Sequence, residues 1–219
     1  MYGFLWSQKT YQLHTQVKKT PRDIKQPTIK KPGQLFQMDT THMTEFGGKK
    51  IILCVIDYVT KYAFVRSMTE NTMANVCKAF KSIMDEDLMT STPAVVQTDN
   101  GGEFGGEFTS MLKDMGIEHI KTQPHMPYQN AIIERFNRTI KSKLSQLMTN
   151  SGDKNWPNLL KFAVENYNGE VYNTTKITPT KLWLERDGVI KALDGINKTI
   201  NTHKFRVQKY AGPDIKVGN

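Results

Sequence analysis

The chain has 219 residues, 38% of them hydrophobic, enough for one well-buried domain plus extensions. Its net charge of +9 and pI near 9.4 point to a polyanionic partner. The only cysteines, Cys54 and Cys77, form no CxxC pair, which excludes a zinc site of the usual cysteine-bearing kind, and no apolar run is long enough for a signal peptide or a membrane span.

The charge is unevenly placed. Residues 1–33 hold seven basic residues and one acid, and residues 188–219 hold six basic and two acidic, leaving −1 for residues 34–187. A basic arm, a nearly neutral core and a basic extension are therefore expected. Such arms suit phosphate binding, although terminal lysine runs are also often just solvated. Pro21, Pro27 and Pro32 mark most of the first segment as an extended linker after a short helix within residues 1–17.

The core reads as strands and helices in order. Residues 34–43 predict a first strand with Leu35, Gln37, Asp39 and Thr41 on one face. Gly47-Gly48 predicts a hairpin turn, and residues 50–57 and 62–68 predict two further strands. Asn71 or Thr72 caps a helix with the stripe Val76, Phe80, Ile83, Met84 and Leu88. A fourth strand, 94–98, precedes a helix with Phe108, Met111, Leu112 and Met115 inward, which ends at Gly116. Residues 117–121 predict a fifth strand. Residues 122–130, with two prolines and no periodicity, predict a mobile loop. The next helix, running to about 148, has Ile133, Phe136, Ile140, Leu144 and Leu147 as its buried stripe. A last helix, after Asp153, turns Trp156, Leu159, Leu160, Ala163 and Tyr167 inward. Both cysteines read as core residues of a reducing compartment.

Two carboxylates stand out in this layout. Asp99 falls at the C-terminal lip of the fourth strand, in the turn signal Thr98-Asp99-Asn100-Gly101-Gly102, and open α/β sheets place ligands at that lip. Glu134 lies one residue off its helix's buried stripe, with Arg138 and Lys141 continuing its row. A carboxylate at a strand end and another on a helix flank can meet in one cleft. The structural alternatives are a turn-forming Asp and a Glu that complements the helix dipole. Asp39 is harder to explain structurally, because Asp is disfavoured in strands. Asp57 precedes a turn and is expected to cap Thr60. Glu103 and Glu107, close to Asp99 in sequence, are expected to support at most.

The segments TDNGGEF, around Asp99, and NAIIERFNRT, around Glu134, together with a later YN…TP segment, resemble the integrase core of retroviruses, retrotransposons and related DNA transposons. The resemblance covers roughly residues 32–186. It implies a ribonuclease H-like α/β fold, with a mixed five-stranded sheet flanked by helices. It also implies a catalytic, metal-holding triad of Asp39 (in QLFQMDTTHM), Asp99 and Glu134, with Asp39 bridging two Mg2+ or Mn2+ ions. Two such ions about 3.5–4 Å apart clamp an in-line displacement at phosphorus, and hard cations favour oxygen ligands. The implied reaction is 3′-end processing followed by strand transfer of element DNA into target DNA. The rivals are a ribonuclease H-like nuclease without strand transfer and a domesticated DNA-binding protein with a silent site.

Arg138, Lys141 and Lys143 are candidates for contacting DNA phosphates, against an exposed helix face with a Glu134–Arg138 ion pair. His125, Tyr128, Gln129 and Asn130 are candidates for touching the DNA end. Double-stranded DNA, a homo-oligomer and a nuclear setting away from membranes follow as expectations. Two departures argue against a close copy of a well-known retroviral enzyme: 34 residues separate Asp99 from Glu134, one fewer than the commonest retroviral spacing, and Asn130-Ala131 stands where relatives often have Asn-Gly. The chain is also expected to lack the N-terminal His/Cys zinc module of many relatives, and its final DIKVGN resembles the lead-in to the small barrel that ends many integrases.

Overall fold

The computed structural model describes residues 31–89, 92–122, 130–173 and 175–185. Strand β1 (Leu35–Phe46) turns at Gly47 and Gly48 into β2 (Lys49–Asp57). Both glycines have positive φ, +56° and +74°, the region that a tight hairpin requires and that L side chains resist. Strand β3 (Ala63–Met68) pairs antiparallel with β2, while β4 (Val95–Thr98) runs parallel to β1 and β5 (Glu118–Lys121) parallel to β4. The sheet order is β3-β2-β1-β4-β5, the expected mixed five-stranded arrangement. Helices α1 (Met73–Met84), α2 (Gly106–Asp114), α3 (Ala131–Ser151), α4 (Trp156–Gly169) and α5 (Pro179–Leu184) complete it.

The period-2 alternation of the strands sends their side chains into two separate cores. Phe36, Met38, Ile51, Leu53, Val55 and Phe64 pack with α1, α2 and Trp183. Ile52, Cys54, Ile56, Ala63 and Val65 pack with α3 and α4. On this second face β2 and β3 supply apolar side chains, but β1 offers Gln37, Asp39 and Thr41. The apolar core therefore gives way at Gln37, Asp39 and Thr41 to a polar strip under α3, and Met43 further along β1 packs back onto that core.

Several sequence expectations need correction. Strand β1 continues to Phe46, beyond the predicted end at residue 43, with Asp39 inside it as expected. Asp39 borders an open edge, because β4 stops at Thr98. Thr72, not Asn71, caps α1, accepting from the Asn75 N–H at 3.3 Å. Leu88 falls beyond α1 and is 40% exposed, since the helix ends at Met84. Helix α5 was not predicted. It is short, but it inserts Trp183 against Phe36, Tyr62 and Phe64, stacked on Tyr62 at 5.4 Å. Among the described residues no helix is long and apolar enough to cross a membrane.

Candidate active site

Asp39 lies opposite Cys54 in the β1–β2 ladder and faces α3. The Thr40 backbone N–H donates to its Oδ1 at 2.8 Å, and the Asn137 amide donates to its Oδ2 at 2.7 Å. Burial pushes its pKa up to about 6, reinforced by the charges of Asp99 and Glu103 and opposed by those two hydrogen bonds.

Asp99 follows the last residue of β4 and is exposed. Gln37 pairs with Gln97, so continuing the parallel register by two residues sets Asp39 level with Asp99. The Asp99 side chain forms an Asx turn, its Oδ1 accepting from the Gly101 N–H at 2.9 Å. Its carbonyl accepts from the Thr98 hydroxyl at 2.8 Å. That hydroxyl lies 2.9 Å from His119 Nε2, and the other ring nitrogen lies 2.9 Å from the Thr109 hydroxyl. Burial first, then Lys121, lowers the His119 pKa, which keeps the ring neutral at pH 7. A neutral ring that donates through Nε2 and accepts at Nδ1 satisfies this chain, which props the Asp99 turn from below.

Glu134 is exposed in the first turn of α3. The helix is fixed on either side of it: the Ile133 N–H donates to Gln37 Oε1 at 3.2 Å, and Asn137 reaches Asp39. Residues three apart share a helix face, so Glu134 and Asn137 stand on the same side. The Asp99 strand end, the Asp39 strand and the Glu134 helix thus converge on one edge of the sheet. Glu103 is a fourth acid near it. Burial acts to raise its pKa, but hydrogen bonds from its own backbone, Asn71 and Thr40 outweigh it and hold the carboxyl below its ordinary range.

Sequence reasoning missed Asn137. The signal was there: it is a polar residue at a position the helical period buries, and it is only 9% exposed. Its Oδ1 is buried with no hydrogen-bond partner among the described residues. An orphaned amide oxygen on the side chain that holds the Asp39 carboxylate is short of a cation or its bound water, and hard divalent ions take oxygen ligands of this kind. The residues present therefore fit a divalent metal. Among the described residues no three His, Cys, Asp or Glu side chains converge into a ready ligand cluster.

The predicted DNA contacts separate into groups. Arg138 and Lys141 are exposed on α3. Lys141 and Asp39 act in opposite senses on the Cys54 thiol, which burial keeps well above its ordinary range. Lys143 is ion-paired with Glu170, with only 14% of its side chain exposed. Arg135, Arg138, Ser142 and Lys143 line a surface cleft of about 390 Å3. Glu134 and Arg138 form no ion pair with each other among the described residues. Asn130 is buried, accepting from Gln97 at 3.4 Å and donating to Thr122 at 3.5 Å. His125, Tyr128 and Gln129 lie outside the described residues. Asp57 behaves as expected, accepting from both the N–H and the hydroxyl of Thr60.

Comparison with known proteins bears on the same region. Two family models described as "Integrase core domain" match residues 29–127 and 115–170. The Gag-Pro-Pol polyprotein of squirrel monkey retrovirus is 26% identical over 53% of this chain, and the Gag-Pol polyprotein of koala retrovirus 29% identical over 61%. The chain spans only 6% and 8% of the length of those polyproteins. The magnesium-bound integrase catalytic core domain of HTLV-2 is 22% identical, with a TM-score of 0.58 over 68% of this chain and 95% of that one. A chain of the simian T-cell lymphotropic virus intasome gives a TM-score of 0.68 at 19% identity, over 83% of this chain and 65% of that one. The fold is therefore ribonuclease H-like, as in retroviral integrase cores, and this chain belongs to the integrase core domain family.

Proposed function

We propose that this chain catalyses metal-dependent 3′-end processing and strand transfer of element DNA into target DNA, with Asp39, Asp99 and Glu134 as its metal-holding acids. The observation that carries this reading is the Asn137–Asp39 hydrogen bond, because it ties the helix of the third acid to the strand of the first. Asp39 and Asp99 would hold the ions from the sheet, and Glu134 would complete the set from α3. Bound divalent ions stabilise the attacking and leaving oxygens of an in-line displacement. The chain's own residues supply position. Thr40 and Asn137 fix the Asp39 carboxylate, and the Gly101 N–H fixes that of Asp99. Arg138 and Lys141, beside Glu134 on α3, would bind the DNA backbone, with the basic flanks adding nonspecific affinity.

The test is a strand-transfer assay with Mg2+ or Mn2+, a duplex carrying the terminal sequence of the element and a plasmid target. Both shortened 3′ ends and joined products are expected. Shortened ends alone would make the chain a nuclease instead.

A further inference from the structure

Glu103 lies in the 3-10 turn Gly102–Phe104, four residues after Asp99. One of its oxygens, Oε1, accepts from the Thr40 hydroxyl at 3.0 Å and from the Asn71 amide at 2.7 Å. Thr40 follows Asp39, Asn71 leads into α1, and Glu103 belongs to the Asp99 turn, so a single oxygen joins three segments. Its place in the sheet gives the contact weight. The β1–β4 pairing ends at Gln37–Gln97, before either acid, and the Thr40–Glu103 bond links the two segments beyond that end. The oxygen of the same Asn71 amide is buried without a partner among the described residues, so burying this amide makes sense for its bond to Glu103.

Gly101 gives an independent indication. Its φ of −55° and ψ of 144° are open to any residue, so the backbone does not require glycine. The space is taken instead: a Cβ there would lie 2.5 Å from Glu103 Oε2 and 3.0 Å from Asp99 Oδ1, so the Glu103 carboxyl would have to shift. Both carboxylates therefore crowd the position that a larger side chain at residue 101 would fill.

We infer that Glu103 is a positioning residue that clamps Thr40 to the Asp99 turn, so that Asp39 and Asp99 face the same ions, without itself holding a metal. This rests on the proposed metal-dependent function. The two donors on Oε1 commit that oxygen to the clamp, ligation through Oε2 is the outcome that the Glu103→Gln comparison tests, and a merely solvated acid would not bridge three segments.

The experiment measures Mn2+ affinity by calorimetry and the Mg2+ concentration for half-maximal DNA cleavage, with melting temperature as the folding control. Glu103→Ala should raise the half-maximal Mg2+ about tenfold or more, the size expected for losing charge-assisted hydrogen bonds. Glu103→Gln keeps an oxygen acceptor for Thr40 and Asn71 and should recover most of that loss. Asn71→Ala and Thr40→Val each remove one of the two donors to Glu103 Oε1 without touching Asp99, and should shift the same way by less. These two milder variants carry the test if Glu103→Ala melts early. A Glu103→Gln protein as inactive as Asp99→Asn would make Glu103 a ligand and overturn the inference, and so would a Glu103→Ala protein with wild-type metal response. A wild type that binds Mn2+ but cleaves nothing overturns the functional reading and leaves the affinity comparison at Glu103 valid. A wild type that binds no Mn2+ overturns both.

Discussion

Asp39 and Asp57 sit on neighbouring strands, three ladder rows apart, and burial raises the pKa of both. They differ in what surrounds them. Asp57 is 0% exposed and accepts four hydrogen bonds, from the N–H groups of Gly33, Val59 and Thr60 and from the Thr60 hydroxyl. Among the described residues Asp39 accepts two, and it shares its surroundings with Asp99 and Glu103. A carboxylate whose acceptors are filled by its own chain is finished and holds a turn. One left short of donors and set among like charges is stabilised by a cation from outside. The contrast is a difference in satisfaction, not in burial.

Removing the finished carboxylate should have the largest effect on stability. Asp57→Ala strands buried N–H donors and should lower unfolding free energy by roughly 3–5 kcal/mol, read by urea denaturation. A loss no larger than that of an exposed acid would break the comparison.

Removing the unfinished one should do the reverse. The folded chain raises the Asp39 pKa from 3.8 to about 6, so folding favours the protonated form. Its ionisation therefore costs stability as pH rises between those values, and the deficit is complete above them, about 2–3 kcal/mol. Asp39→Asn should make the metal-free protein more stable than wild type by that amount at pH 8. The new amide can donate to the orphaned Asn137 oxygen once the Asn137 side chain turns over. The gap should close below about pH 4. A gap independent of pH would show that the Asp39 charge is not what destabilises the fold.

The same contrast sorts the lysines of α3, with a smaller effect. Lys143 is already paired with Glu170, whereas Lys141 is exposed. Lys141→Ala should flatten the slope of log K for duplex DNA against log salt by about 0.9, the value of one lost phosphate contact. Lys143→Ala should leave the slope unchanged. Equal effects would remove the distinction.

Much of the fold was legible because its signals are local. The continuous apolar run within residues 50–57, the Gly47-Gly48 turn and the 133/136/140/144 stripe each name an element without reference to the rest. Asp39 and Asp99 stand out in the sequence because an Asp contradicts its strand and an Asp opens a turn; the role proposed for them rests on the family resemblance. What stayed hidden depends on contacts between distant segments. Helix α5 is only six residues long, and its anchor, Trp183, acquires meaning only against Phe36 and Tyr62. The roles of Asn137 and Glu103 depend on partners 98 and 63 residues away, Asp39 and Thr40, which no spacing rule connects. Lys143 looked free in the sequence because Glu170, 27 residues on, becomes its neighbour only once α3 and α4 pack.

The most direct test of the account is Mg2+-supported cleavage of element-end DNA by wild type, Asp99→Asn and Glu107→Gln. Asp99 and Glu107 lie in one short segment and both are exposed, but only Asp99 is set level with Asp39. The account predicts a loss of at least about a hundredfold for Asp99→Asn at wild-type melting temperature, and little change for Glu107→Gln. An Asp99→Asn protein that cleaves at the wild-type rate would contradict it.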